Sequence, residues 1–224
     1  MSDKKLIIKV CGMRDADNMA QVESLGIDMM GGIYYPKSPR YINAPGHSNG
    51  FQLLNQNDKQ HKSLHVGVFV NEMPQNIITA VYNDQLDAIQ LHGNEPATEI
   101  SNLRATLVPD VRKQLLFIKA ISINNADDIA RCAAYDGVTD YLLFDTKCTE
   151  IGGSGRKFNW DILSLYHGNT PFLLSGGLGP GDESAIRQFS HPAFAGIDLN
   201  SRFETQPAVK DVELLSQFIQ NINM

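Results

Sequence analysis

The chain has 224 residues, 42% of them hydrophobic and 20% charged, with a formal net charge of -6. That balance is ordinary for a folded globular chain, and the acidic excess argues against nucleic acid, whose binding leans on basic surface. No apolar run approaches the length of a membrane span, and MSDKKLIIKV turns to a strand pattern too soon for a signal peptide, so a cytoplasmic chain without membrane contact is expected.

Eight short apolar runs follow one another: LIIKV, MMGGIYY, LHVGVFV, LDAIQL, LLFIKA, YLLFD, PFLLS and AFAGIDL. Most are too short and uninterrupted for amphipathic helices and read as buried strands. Polar stretches with helical spacing separate them. PQNIITAVY places Ile77, Ile78, Val81 and Tyr82 on one side, behind a proline at a first helical position. NNADDIARCAAY offers asparagine caps and early acids, and KDVELLSQFIQNI aligns Val212, Leu215, Phe218, Ile219 and Ile222. Strands alternating with helices predict a parallel sheet, and eight strands close a (β/α)8 TIM barrel. The first strand runs into CGMRD rather than a GxGxxG turn, which disfavours an open dinucleotide-binding sheet. No linker or charge block divides the chain, so one α/β barrel domain over residues 1–224 is the expectation.

In such a barrel the chemistry sits at the C-terminal strand ends. Those positions hold Cys11, the YPKSPR loop, Asn71, His92, Lys119, Asp145, SGGL and Asp198. Alternation puts Ile7, Lys9 and Cys11 on one strand face, and Tyr141, Leu143 and Asp145 on another. If both faces point inward, a thiol and a carboxylate share the barrel mouth, with Lys9 one layer below the thiol. Cys11, Cys132 and Cys148 lack CxxC spacing, so neither zinc nor a disulfide framework is expected. Taken alone, Cys11 reads better as a small buried apolar residue than as a reactive thiol. Gly176 and Gly177, after the seventh strand, and GIDLNSRF, from the eighth, sit where this barrel cradles phosphate. A glycine pair also serves a tight turn, but its position favours phosphate.

The motifs KVCGM, GIDMMGGIYYPKSPRYI, VGVFVN, IQLHGNE, FDTK with GGSGRKFNW, LLSGGL and GIDLNS resemble, in that order, the phosphoribosylanthranilate isomerase family of tryptophan biosynthesis. The likeness runs from residue 8 to about residue 205. It implies a barrel enzyme without cofactor or metal, acting on a phosphorylated sugar-anthranilate substrate by an Amadori rearrangement, as monomer or homodimer. It further implies that Asp145 is the general acid, kept partly protonated by desolvation, and that Cys11 is the general base, its thiolate favoured by Lys9. Arg40 matches the arginine that binds the anthranilate carboxylate, Gly153 and Ser154 lie in a flap over the substrate, and Gly176, Gly177, Asn200 and Ser201 hold phosphate. Asp198 faces the sugar hydroxyls, while Gln90 and His92 line the wall. Two departures stand out: Gly32 replaces a usual aromatic residue, which should loosen the second strand end, and Arg202 replaces a glycine after the eighth strand. Within the same fold, a metal-dependent epimerase would need convergent ligands such as His65, His92 and Asp145. A silent phosphosugar binder would have no use for both Cys11 and Asp145.

Overall fold

The computed structural model describes residues 5–57, 63–145 and 160–223. Eight parallel strands close a barrel in sequential order: β1 (Ile7–Met13), β2 (Met29–Ile33), β3 (Leu64–Phe69), β4 (Ala88–Leu91), β5 (Leu116–Ser122), β6 (Tyr141–Asp145), β7 (Phe172–Ser175) and β8 (Phe194–Leu199). Each expected apolar run became one strand. Among the described residues, seven α-helices pack outside: α1 (Ala16–Glu23), α2 (Gly50–Asn57), α3 (Pro74–Asn83), α4 (Ala97–Asp110), α5 (Ala126–Arg131), α6 (Glu183–Gln188) and α7 (Val212–Asn223). Short 3-10 turns at Cys132–Tyr135 and Trp160–Leu165 flank β6, and a third at Ser201–Phe203 follows β8. None of the described helices is long and apolar enough to cross a membrane.

The runs are apolar throughout because the strands are buried on both faces. Inward residues such as Met29, Val66, Ile118, Leu143 and Leu173 fill the barrel, while Ile8, Val10, Met30, Phe117, Leu142, Phe144 and Ile197 pack outward against the helices. In α3, Ile77 and Val81 are buried as expected; Tyr82, expected on the same side, is 74% exposed. Its position one residue past Val81 turns it out to solvent. The α7 stripe of Leu215, Phe218, Ile219 and Ile222 is buried. Asn125 caps α5 in a reciprocal capping box with Asp128.

At the N-terminal end of the barrel one device repeats three times. Asp28, Asp87 and Asp140 each directly precede an even-numbered strand, and each accepts a backbone N–H from the strand before it: Ile8 at 2.9 Å, His65 at 2.9 Å and Phe117 at 2.7 Å. Each is paired with a cation as well, respectively Lys5, Arg112 and Arg104. These carboxylates tie neighbouring strands together at the end away from the strand C-termini.

Gly32 does not loosen β2. It faces outward, and a Cβ there would lie 2.5 Å from Ile42 Cδ1 and 2.7 Å from Phe51 Cε2, so those side chains occupy the space an aromatic residue would need. After β8 the polar run ETQPAVK forms a two-stranded antiparallel ribbon, β9 (Glu204–Gln206) with β10 (Val209–Lys210), which its sequence does not announce.

Candidate active site

β1 delivers the thiol. Lys9 is fully buried, and its Nζ donates to Asp198 Oδ1 at 2.8 Å across the β1–β8 pair. The other carboxylate oxygen of Asp198 accepts from Ser175 Oγ at 3.3 Å. Burial pulls the Lys9 ammonium down, but Asp198 and then Cys11 outweigh it, holding the amine above its ordinary 10.5. Cys11 is 3% exposed. A Cβ on Gly31 would stand 2.8 Å from its Sγ, so the β2 glycine makes room for the thiol. The sequence reading expected Lys9 to depress Cys11, and here the structure differs. Burial raises the thiol above 9.0 and outweighs the opposing pull of Lys9, while Asp198 raises it again and Lys210 lowers it. The lysine is close enough to help a thiolate but does not make it the resting form.

Asp145 closes β6, in register with Ser122 on β5 and Ser175 on β7. Its Oδ2 lies 3.5 Å from His92 Nε2. Gln90 Nε2 donates to His92 Nδ1 at 3.0 Å, an arrangement that leaves the proton of the neutral imidazole on Nε2, toward the carboxylate. His65, near the start of β3, is buried at the opposite end of the barrel and stacks on Phe51, so the structure does not bring it to Asp145.

Cys11, Asp145, Gly176, Gly177, Asp198, Asn200 and Ser201 line a single cavity of about 200 Å³, together with Gln90 and His92. Gly176 and Gly177 have φ of 101° and 69°, backbone that favours glycine, and they carry the chain from β7 across the cavity. A larger cavity of about 630 Å³ shares both glycines and is lined by Trp160, Phe189 and Arg202 as well. Arg202 lies across the same loop, since a Cβ on Gly179 would meet its Cβ at 2.8 Å. Gly153 and Ser154 fall outside the described residues, as does Cys148. Cys132 is buried far from this mouth, its thiol pushed up to about 12 by burial.

Arg40 stands beside the cavity rather than in its lining. Its stem crosses Gly12, whose φ is 78° and whose absent Cβ would lie 2.7 Å from Arg40 Cδ and 2.6 Å from Asn200 Oδ1. The glycine of the VCG motif thus lets both side chains close over the strand end that bears Cys11. Arg40 binds Glu204 side-on: Nε donates to Oε1 at 2.8 Å and to Oε2 at 3.0 Å, and Nη2 to Oε2 at 2.5 Å. Lys210, itself buried, donates to Glu204 Oε1 at 2.7 Å and to Asn200 Oδ1 at 2.8 Å. Sequence reading missed Glu204 and Lys210. The available signal was an acid and a lysine flanking the turn after the eighth strand, at the end of the barrel where the chemistry sits. Asn71, Lys119 and Glu95 instead organise the loop after β4: Glu95 accepts from Asn71 N and Lys119 Nζ, each at 2.8 Å.

The family model for N-(5'-phosphoribosyl)anthranilate (PRA) isomerase matches residues 8–221. An N-(5'-phosphoribosyl)anthranilate isomerase of Phocaeicola vulgatus is 45% identical over 217 residues, covering 97% of this chain and 98% of that protein. The crystal structure of phosphoribosyl anthranilate isomerase from Thermotoga maritima superposes with a TM-score of 0.77 at 31% identity, over 98% of this chain and 99% of that one. A crystal structure of the same kind of enzyme, in complex with reduced 1-(o-carboxyphenylamino)-1-deoxyribulose 5-phosphate, gives 0.76 at 28% identity, covering 98% and 99%. A barrel with a thiol and a carboxylate at one mouth, matched over nearly its whole length by such relatives, belongs to the N-(5'-phosphoribosyl)anthranilate isomerase family and is an isomerase.

Proposed function

We propose that this chain converts N-(5-phosphoribosyl)anthranilate to 1-(2-carboxyphenylamino)-1-deoxyribulose 5-phosphate by an Amadori rearrangement in tryptophan biosynthesis, with Asp145 as general acid and Cys11 as general base. The observation that carries this reading is that Cys11 on β1 and Asp145 on β6, strands that are not neighbours, open onto one cavity. Asp145 protonates the ring oxygen, so the furanose opens to a Schiff base. The Cys11 thiolate then removes the proton from C2, giving an enolamine that relaxes to the ketone. His92 supports Asp145 from the side, and the cations of Lys9 and Lys210 favour the thiolate against the desolvation that opposes it.

The remaining residues bind. Arg40 takes the anthranilate carboxylate, and Asp198 meets the sugar hydroxyls. The phosphate rests on the backbone of Gly176, Gly177, Asn200 and Ser201, where the glycines allow close approach. That a relative was solved with a ligand bearing both a carboxyl and a phosphate supports this division. Gly153 and Ser154 complete the substrate contact in this proposal on the strength of the sequence alone. The steps are proton transfers, for which side chains suffice, so no cofactor enters the scheme. Residues 1–224 act as one domain, in the cytoplasm, as monomer or homodimer. Mixing the protein with N-(5-phosphoribosyl)anthranilate and following that compound's fluorescence is the direct test. The signal should decay at a rate proportional to enzyme; an unchanged signal overturns the proposal.

A further inference from the structure

We infer that Glu204 is the positioning residue for Arg40, setting the guanidinium for an incoming carboxylate, and that Lys210 holds Glu204 in turn. The inference rests on the proposed reading of Arg40. Every member of the cluster is anchored. Asn18 on α1 accepts the backbone N–H of Lys210 at 2.8 Å and donates to its carbonyl at 2.9 Å, fixing β10 against the barrel. Lys210 Nζ then bridges Glu204 and Asn200. Glu204 also accepts the N–H of Ala208 at 3.2 Å, inside the ribbon's turn. Its side chain is 5% exposed and that of Lys210 0%, whereas Arg40 reaches out to 20%.

The geometry is selective about which edge of the arginine it uses. Glu204 occupies Nε and Nη2, the side edge. Nη1 makes no hydrogen bond among the described residues, so the end edge formed by Nη1 and Nη2 keeps donors for a second carboxylate. A flexible arginine would lose rotamer freedom on binding; one already gripped by a buried acid has lost it beforehand. Charge points the same way. Two cations share one carboxylate, which leaves the cluster with a surplus positive charge beside Cys11, and that surplus suits an anion. The carboxylate of Glu204 is itself resisted by burial, yet Arg40 and Lys210 hold it below the ordinary 4.5, so it stays ionised at neutral pH.

Two roles for Glu204 predict opposite outcomes. If it merely competes with substrate for Arg40, Glu204→Gln tightens binding; if it positions Arg40, the same change weakens it. The test uses the full chain with two ligands: reduced 1-(o-carboxyphenylamino)-1-deoxyribulose 5-phosphate, and its phenylamino counterpart lacking the carboxyl. Calorimetry should show Glu204→Gln losing ~10- to 100-fold for the first ligand, the range of one well-placed charged hydrogen bond, and nothing for the second. KM for substrate should rise by a similar factor with kcat within a few-fold. Should Glu204→Gln fail to fold because Lys210 is left buried and unpaired, the double variant Glu204→Gln with Lys210→Met removes both charges and must show the same selective loss. Unchanged or tighter binding of the carboxylated ligand overturns the inference, as does an equal loss for both ligands. Arg40→Ala separates the two readings. If it abolishes discrimination between the ligands while Glu204→Gln does not, only the role of Glu204 fails. If Arg40→Ala leaves discrimination intact, the reading of Arg40 itself is wrong.

Discussion

The two ends of this barrel use carboxylates in opposite ways. At the N-terminal end, Asp28, Asp87 and Asp140 sit half-exposed, clamp a neighbouring strand's N–H, and face arginine or lysine side chains that reach into solvent. At the C-terminal end, Asp198 and Glu204 are 6% and 5% exposed and hold buried lysines, while Asp145 looks into the cavity. Half-exposed pairs each contribute little and tolerate loss; buried ones are costly to break because the surviving charge has nowhere to go. The two ends thus differ in what the loss of a charge costs, and that difference can be broken experimentally.

The largest effect should fall on rate alone. Cys11→Ser and Asp145→Asn keep the side-chain shapes, and each is expected to lower kcat by ~10²- to 10⁴-fold, as for a positioned base or acid. Neither should move the melting temperature appreciably, and near-normal turnover by Cys11→Ser would reduce the thiol to packing. Next comes Lys9→Met, which leaves Asp198 buried without its cation. Urea unfolding should show a loss of about 3 to 5 kcal/mol, because this pair belongs to the buried class. A loss near zero would erase the contrast between the ends. Asp87→Ala should cost about 1 to 3 kcal/mol, a strand N–H losing a charged acceptor, with kcat unchanged in the steady-state assay.

The pH profile sharpens the comparison from another side. Because burial holds the Cys11 thiol above 9.0, the alkaline limb of kcat/KM belongs above that value. Below that limb the reactive thiolate is the minority form of Cys11, and the limbs describe the coupled pair. A limb falling below pH 8 would show that the cations win against burial. The smallest effect is expected from Arg202→Gly. This side chain lies over Gly179 and lines the larger cavity; if its guanidinium adds a charge-assisted contact to phosphate, the change should raise KM a few-fold in the same assay. An unchanged KM would assign Arg202 to solvent.

How legible each end was follows from what a linear pattern can record. The eight strands were readable because a strand buried on both sides is an unbroken apolar run, as in YLLFD and LHVGVFV. Asp145 and the Gly176–Gly177 pair were readable because a polar residue or glycine at such a run's end stands out, whereas Cys11 stood out only through its VCG context. What escaped was set by depth and by distance along the chain. The direction of the Cys11 shift depends on its 3% exposure, which VCG does not encode. Gly32 seemed a defect only because Ile42 and Phe51, which fill its space, come from later in the chain. The partner of Arg40 was invisible for the same reason: Glu204 lies in a polar ribbon too short to read as strands.

The spans of these contacts have a consequence for the order of folding. The aspartate clamps join residues 20, 22 and 23 apart, so each can form as soon as one strand–helix–strand unit exists. The contacts that build the mouth span far more: 189 residues for Lys9 to Asp198, 164 for Arg40 to Glu204, and 192 for Asn18 to Lys210. Loop-closure entropy opposes such pairings until the intervening units are in place, and β1 meets β8 only when the ring shuts. A refolding chain is therefore expected to recover its helical signal in circular dichroism before its turnover, so that activity reports the closure of the ring.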